Sequence, residues 1–324
     1  MDARSSLETH GNSVTGNNVR FRSDCRVVNR MNKPPVISIG MPVYNGERYL
    51  EQTLECVLNQ TFQDFELIIS DNASTDRTQE ICEEAARRDS RIRYIRQPEN
   101  LGAPANYNKV LEPARGTYFK WAAANDLFDG SLVEKCIGIL ETHPEVVLCY
   151  PRSRLIDGEG KSLGDYEDGL HIMQDSPSER FQHVLSHLRL SNALNGVFRL
   201  SALRACRPVG LYLSSDVHLL AEMSLRGKFY ELPETLFYRR MDQASSTVGR
   251  PQKELIAFHR PKDRSRSEAT CWRLDLGHFE IVHRTPIQGK EKRRLYRYLL
   301  RKLVWDRRQL MAELLTCLKE LWRR

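Results

Sequence analysis

Between residues 36 and 129 four short apolar runs recur, each followed by a polar loop. They are VISIGM (36–41), FELIIS (65–70), RIRYIR (91–96) and TYFKWA (117–122). Each is rich in β-branched or aromatic residues and bounded by Pro, Gly, Asn or Asp, the mark of a strand. Helical patterns lie between them: residues 49–58 put Leu50, Leu54 and Leu58 on one face, and residues 78–88 place Ile81 beside Ala85. Strand and helix alternate, which predicts parallel strands joined by right-handed crossovers. Ligands of such open sheets sit beyond the carboxyl ends of the strands, so the loops at those ends become the candidates.

After the first run come Pro42, Val43, Tyr44, Asn45, Gly46 and Glu47, where Pro42 cannot continue a ladder and Gly46 permits a tight turn into the helix. After the second comes Asp71-Asn72-Ala73-Ser74-Thr75-Asp76, side chains that bond nearby backbone and favour a turn and a helix cap. The third is followed by Glu99-Asn100-Leu101-Gly102, with Asn106 a turn later, and the fourth by Asn125-Asp126-Leu127-Phe128-Asp129. Any one of these loops is ordinary punctuation of an α/β protein. Four in register point to a nucleotide-binding enzyme.

Taken together, P-x-Y-N-x-E, D-N-A-S-T-D, N-x-G-x-x-x-N and the acidic cluster resemble the nucleotide-binding half of family 2 glycosyltransferases. The likeness covers about the first third of the chain after Lys33 and continues more weakly to about Ser246. It implies a GT-A type fold, a Rossmann-like, mainly parallel mixed sheet flanked by helices. It also implies inverting transfer of a sugar from a nucleotide-sugar donor, a UDP- or dTDP-sugar first. By position, Asp71 would accept hydrogen bonds from the nucleotide base, a strong directional contact for a carboxylate. Pro42, Val43, Asn45 and Glu47 would line base and ribose. Asn100, Gly102 and Asn106 would shape the donor pocket, with Gly102 letting backbone approach a ligand; a capped turn is the alternative for these three.

The resemblance puts Asn125 and Asp126 where an acidic pair commonly holds Mg²⁺ or Mn²⁺ against the donor's pyrophosphate. Such a cation offsets charge on the leaving nucleoside diphosphate, and one protein carboxylate can suffice when phosphates and waters fill the remaining positions. The neutral Asn125 is a departure that weakens or relaxes metal binding. Asp129 is expected to cap a helix near Ser131. Asp216, opening a helical pattern in Ser214-Ser215-Asp216-Val217-His218, corresponds to the family's base, which deprotonates the acceptor hydroxyl. Without the family likeness it reads as a helix cap, and Glu222 is a poorer base. In the closing element Leu236 to Ser246, Arg239 or Arg240 could grip a pyrophosphate in its forked geometry, with surface charge as the alternative. Asp242 falls where many members carry a His, which puts a metal or phosphate role there in doubt.

The 324 residues, 40% hydrophobic, suffice for one large core with extensions. Residues 1–34 read as a disordered lead-in without a signal peptide, 35–250 as the glycosyltransferase domain (35–130 nucleotide half, 131–250 acceptor half), and 251–324 as a C-terminal helical extension. No apolar run is long enough to span a membrane, and the eight scattered cysteines read as free thiols of a reducing cytosol. His183 and His187 lack the Glu of a metalloprotease pattern.

The net charge of +7 is local: residues 284–324 hold 13 Lys and Arg against 4 Asp and Glu, a +9 tail, leaving −2 elsewhere. There Leu295, Leu299, Leu303, Leu310, Leu314, Leu318 and Leu321 recur at helical spacing among arginines. This predicts a basic amphipathic helix over residues 290–324 that meets an anionic membrane surface or packs on its own domain or a second subunit of a homodimer. Leucine rather than stacking aromatics between the charges argues against nucleic acid. The expected function is synthesis of a surface glycan or glycolipid on a glycan or lipid-linked acceptor, by a cytoplasmic or peripheral enzyme on the cytoplasmic face. The rivals are a nucleotide-sugar-binding pseudoenzyme or scaffold and a dinucleotide oxidoreductase, the latter opposed by the missing G-x-G-x-x-G.

Overall fold

The structure, a computed structural model, describes residues 33–242, 252–262 and 269–322. All four predicted strands form: β1 (Ile37–Val43), β2 (Phe65–Asp71), β3 (Ile92–Arg96) and β4 (Tyr118–Trp121). Between them lie α1 (Leu50–Leu58), α2 (Thr78–Arg88) and α3 (Ala103–Leu111). The strands pair in parallel, β1 with β2 and β4, and β2 with β3. Along β1, Ile37, Ile39 and Met41 are fully buried against one apolar layer. Ser38, between them, donates to Glu66 Oε1 at 2.6 Å. At Gly40 an added Cβ would stand 2.7 Å from both Phe119 and Val110, so the bare backbone is what lets α3 pack so close.

Strand β1 runs through Pro42, contrary to the expectation that proline ends the ladder. The reason is one-sided pairing. Gly40 faces β4, since its carbonyl accepts from Ala122 N–H, and Val43 faces β2, since its carbonyl accepts from Asn72 N–H. Pro42 therefore turns its missing N–H toward β4, whose pairing has already stopped at Trp121.

The chain continues with β5 (Leu127–Phe128), α4 (Leu132–Thr142), β6 (Val146–Ile156), β7 (Ser162–Tyr166), α5 (Pro177–His187), β8 (Val197–Arg199), α6 (Leu200–Arg204), α7 (Ser215–Arg226) and β9 (Lys228–Arg240). The sheet order is β3-β2-β1-β4-β8-β6-β9-β5, with β7 beside β6. Strand β8 is antiparallel to both β4 and β6, while β6 and β9 are parallel. The carboxyl end of β9 thus emerges at the same edge as those of β1 to β4. This is the predicted mixed, mainly parallel sheet.

Four helices follow: α8 (Gln252–His259), α9 (Thr270–Arg284), α10 (Gly289–Trp305) and α11 (Arg307–Trp322). The single amphipathic helix expected over 290–324 is two helices that part at Asp306. Their leucines also divide. Leu295 and Leu299 join the second core layer, with Phe119, Trp121, Phe198 and Phe229, and Leu310 is buried too, whereas Leu314 and Leu318 face solvent. No helix among the described residues is long and apolar enough to cross a membrane. The expected lead-in falls outside the described residues except for Lys33 and Pro34, as do Gln243 to Ser246 of the closing element.

Candidate functional site

The first three loops are laced together by hydrogen bonds that satisfy the free N–H groups at their helix starts. Asn45, at φ +48°, donates its N–H to Ser74 Oγ at 2.9 Å and accepts at Oδ1 from Thr75 N–H at 2.9 Å. Gly46 N–H donates to Thr78 Oγ1 at 2.8 Å. Glu47 N–H donates to Asp76 Oδ2, while Glu47 Oε2 accepts from Arg77 N–H, both at 3.0 Å. Asn45 and Glu47 remain exposed, and Pro42 and Val43 lie buried behind them.

Asp71 is wholly buried and its partners are internal: Ser74 N–H at 2.8 Å, the Tyr94 hydroxyl at 2.9 Å and Arg96 Nε at 3.4 Å. Its environment is that of a residue shaping the loop it precedes. Asn72, which the sequence reading did not single out, donates to Asn100 Oδ1 at 2.8 Å and accepts from Leu101 N–H at 2.9 Å. Asn106, 2% exposed, accepts from Ser70 Oγ at 2.6 Å and donates to the carbonyls of Ser70 (2.8 Å) and Val43 (3.3 Å). It pins β1 to β2 where the loops leave. Gly102, at φ +86°, does meet backbone closely, but that backbone is the chain's own: a Cβ there would lie 2.3 Å from the His259 carbonyl oxygen of α8.

The corner beyond β4 and β9 is built differently. Asp126, 6% exposed, accepts the Arg240 N–H on Oδ1 at 2.8 Å. Burial pushes its carboxyl up to about 6, against the pull of that N–H and of Arg239, Lys120 and Arg240 nearby. Lys120 is fully buried beneath, its ammonium 4.7 Å over the Phe128 ring, and burial pushes it down to about 8. Arg240 is spent on architecture. It donates to the carbonyls of Asn125 (2.9 Å), Asp157 (3.0 Å) and Gly158 (2.7 Å) and to Gln52 Oε1 (3.0 Å), and lies 4.2 Å over the Tyr49 ring. Arg239 is half-buried and held by Leu190 O and, at 2.6 Å, Asn192 Oδ1. Asp129 turns away to Ser131, accepting its N–H at 2.8 Å and its hydroxyl at 2.6 Å, as expected of a residue opening α4. Asp242 accepts from the Tyr49 hydroxyl at 2.6 Å and from Arg48 at 3.0 Å.

Asp216 is half-buried in the first turn of α7, just after Ser214 at φ +61°. Tyr107 joins it to the rest. Burial pushes this phenol up to about 12, and the charges of Asp126, Arg239 and Asp216 all act on it. Tyr107 is thus a group on which the metal, phosphate and base candidates all bear electrostatically. Its only sequence signal was adjacency to Asn106. Ser215 also lines a cavity with Arg207, Tyr212, Glu222 and Arg284. Glu222, the weaker candidate base, is buried and paired with Arg226 at 2.8 Å and Arg207 at 3.6 Å.

Among the described residues no group of three His, Cys, Asp or Glu could cage a metal ion. Asp126 offers one carboxylate oxygen beyond the one Arg240 holds. The residues fit a hard divalent cation only when a diphosphate supplies most of its ligands. His183 and His187 stack on each other, with His183 Nε2 2.8 Å from the Gly169 carbonyl.

Residues 38–194 match the family model described as glycosyl transferase family 2. EpsH of Bacillus subtilis, named as a glycosyltransferase, is 29% identical over 229 residues, 68% of this chain and 65% of that protein. TuaG of Bacillus subtilis, named as a teichuronic acid biosynthesis glycosyltransferase, is 36% identical over 164 residues, 50% of this chain and 58% of that one. The chain spans between about a fifth and two thirds of the length of the curated relatives it matches. Among solved structures, S. aureus TarS in complex with UDP-GlcNAc superposes with a TM-score of 0.60 at 15% identity, over 82% of this chain and 72% of that one. The mannosyltransferase PcManGT from Pyrobaculum calidifontis, in complex with GDP-Man and Mn²⁺, gives 0.53 at 15% identity, over 88% and 75%. These likenesses establish the GT-A fold.

Proposed function

From the premise that the chain belongs to glycosyl transferase family 2, we propose that it transfers a sugar, with inversion, from a nucleotide-sugar donor to an acceptor hydroxyl. The observation that carries this reading is the placement of the family-matched loops, with Asp126 buried and bonded to the Arg240 N–H, beyond the carboxyl ends of β1 to β4 and β9. In the proposed reaction Asp216 accepts the hydroxyl proton as the acceptor oxygen attacks the anomeric carbon. The bond from that carbon to the diphosphate breaks on the opposite face, and its electrons leave with the nucleoside diphosphate. Arg239 faces the departing charge. A divalent cation, Mg²⁺ or Mn²⁺, bound through Asp126 would add Lewis-acid stabilisation of the leaving group.

The loops after β1, β2 and β3 hold the nucleoside, with Pro42, Val43, Asn45 and Glu47 along its edge and Asn100, Gly102 and Asn106 fixing the wall. Asn125 borders the diphosphate. Asp71, held by Ser74, Tyr94 and Arg96, would meet the base from within the loop it shapes. The UDP-GlcNAc and GDP-Man named for TarS and PcManGT support a nucleotide-sugar donor; UDP-sugars, then dTDP-sugars, are the donors proposed. The name of TuaG supports an acceptor of polysaccharide biosynthesis; a glycan or lipid-linked form met at the cytoplasmic face is proposed with it.

The test is thermal stability of the purified chain against UDP-, dTDP- and GDP-sugars with and without Mn²⁺, since a ligand of the folded state raises the midpoint. One donor should give a metal-enhanced shift that Asp126→Ala loses, together with slow donor hydrolysis. No shift with any donor overturns the reading, and a shift without turnover on any acceptor would favour the binding-protein rival.

A further inference from the structure

More than half of the large apolar side chains exposed among the described residues lie on the last two helices. Leu300, Val304 and Trp305 (57%, 59% and 56% exposed) stand on α10, and Met311, Leu315 and Leu318 (52%, 53% and 44%) on α11. Apart from the adjacent Val304 and Trp305, those on each helix fall three or four residues apart, among exposed arginines: Arg293, Arg297 and Arg301 on α10, Arg307 and Arg308 on α11. The Arg301 guanidinium lies 5.1 Å over the Trp305 ring.

The inner faces are fixed independently of these side chains. Leu295, Leu299 and Leu310 are buried. The Trp272 indole N–H donates to the Leu310 carbonyl at 3.0 Å, and Glu313 accepts the N–H groups of Cys271 and Trp272 at 3.0 and 3.1 Å. The outer face is therefore preformed, apolar and cationic, and the packing of the domain does not use it.

We propose that this face docks on an anionic lipid surface, with the apolar side chains in the headgroup boundary and the arginines on the phosphates. Charge selects this occupant over a second copy of the chain. A two-fold contact sets the same patch against itself, bringing two +9 tails together. The inference deepens the transferase reading by bringing the enzyme to a membrane that holds its acceptor, yet it is measured without donor, so the two can fail separately.

The experiment is flotation of the full chain with phosphatidylcholine vesicles, with and without phosphatidylglycerol, at low and high salt. Binding is expected only with the anionic lipid and weakens with salt. Arg307→Glu with Arg308→Glu should lower it at least about tenfold, at about 1 kcal/mol per basic residue near the surface. Trp305→Glu with Leu315→Glu should abolish it while circular dichroism and the thermal midpoint of the free protein stay as in the parent. Equal binding to both vesicle types, or to neither, overturns the proposal. So does a dimer in sedimentation that Leu315→Glu splits, which would assign the face to a second copy.

Discussion

Two corners of one sheet edge treat their polar residues in opposite ways. In the loops after β1 to β3, Asn45, Asp71, Asn72, Asn100 and Asn106 all have hydrogen-bond partners within the chain. In the corner after β4 and β9, burial holds Asp126 near 6 and pushes Lys120 down to about 8. Satisfied polar groups stiffen a scaffold. Groups held buried at an electrostatic cost are the ones a reacting ligand can rearrange. The contrast divides the family-like motifs into those that build the pocket and those that act in it.

The sharpest way to break that division is Asp216→Asn. It keeps the size of the side chain in α7 but cannot take a proton, so turnover should fall by about 10²–10⁴-fold while donor-induced stabilisation is unchanged. Turnover within a few-fold of the parent would remove Asp216 from the chemistry and return it to its alternative role as a helix-start residue.

Next is Asn106→Leu on the other side of the comparison. It strands Ser70 Oγ and two strand-end carbonyls inside the protein, and should destabilise by about 2–4 kcal/mol in urea unfolding. If stability held while donor affinity fell, Asn106 would be a ligand contact, and the loops could not be called scaffold.

The strands and the first two helices were legible because β-branched alternation and a leucine face are local signals, and the four loops were legible as a set. What was hidden depends on partners far along the chain. Nothing near Asp71 tells that Tyr94 and Arg96 meet it, or that Gly102 comes up against the His259 carbonyl. Arg239 and Arg240 look alike in sequence, but strand alternation sends one to Leu190 and Asn192 and buries the other among the carbonyls of Asn125, Asp157 and Gly158. Tyr107 and Lys120 carried no motif; only the packing of α3 and β4 gives them a role. In the tail the leucine spacing was read correctly as helical, but which leucines face the core was set by α9, whose position residues 290–324 do not encode.

The smallest effect expected, and the most discriminating, is that of Asp126→Asn on stability. The carboxyl titrates near 6 in the folded chain and at its ordinary 3.8 when unfolded. The folded state therefore binds the proton more tightly, and the stability this gives is fully present below about 3.8 and lost as pH rises through about 6. Removing the charge should stabilise the protein at neutral pH by about 1–3 kcal/mol, the two-decade difference setting the upper end. The gain should vanish by about pH 4, and it should come with loss of metal-enhanced donor binding, the trade expected where a site is held ionised for function. Midpoints of parent and variant across that range decide the matter. A variant less stable than the parent at neutral pH would mean that the carboxylate is held by its neighbouring cations as structure, and that the two corners of the edge are built alike.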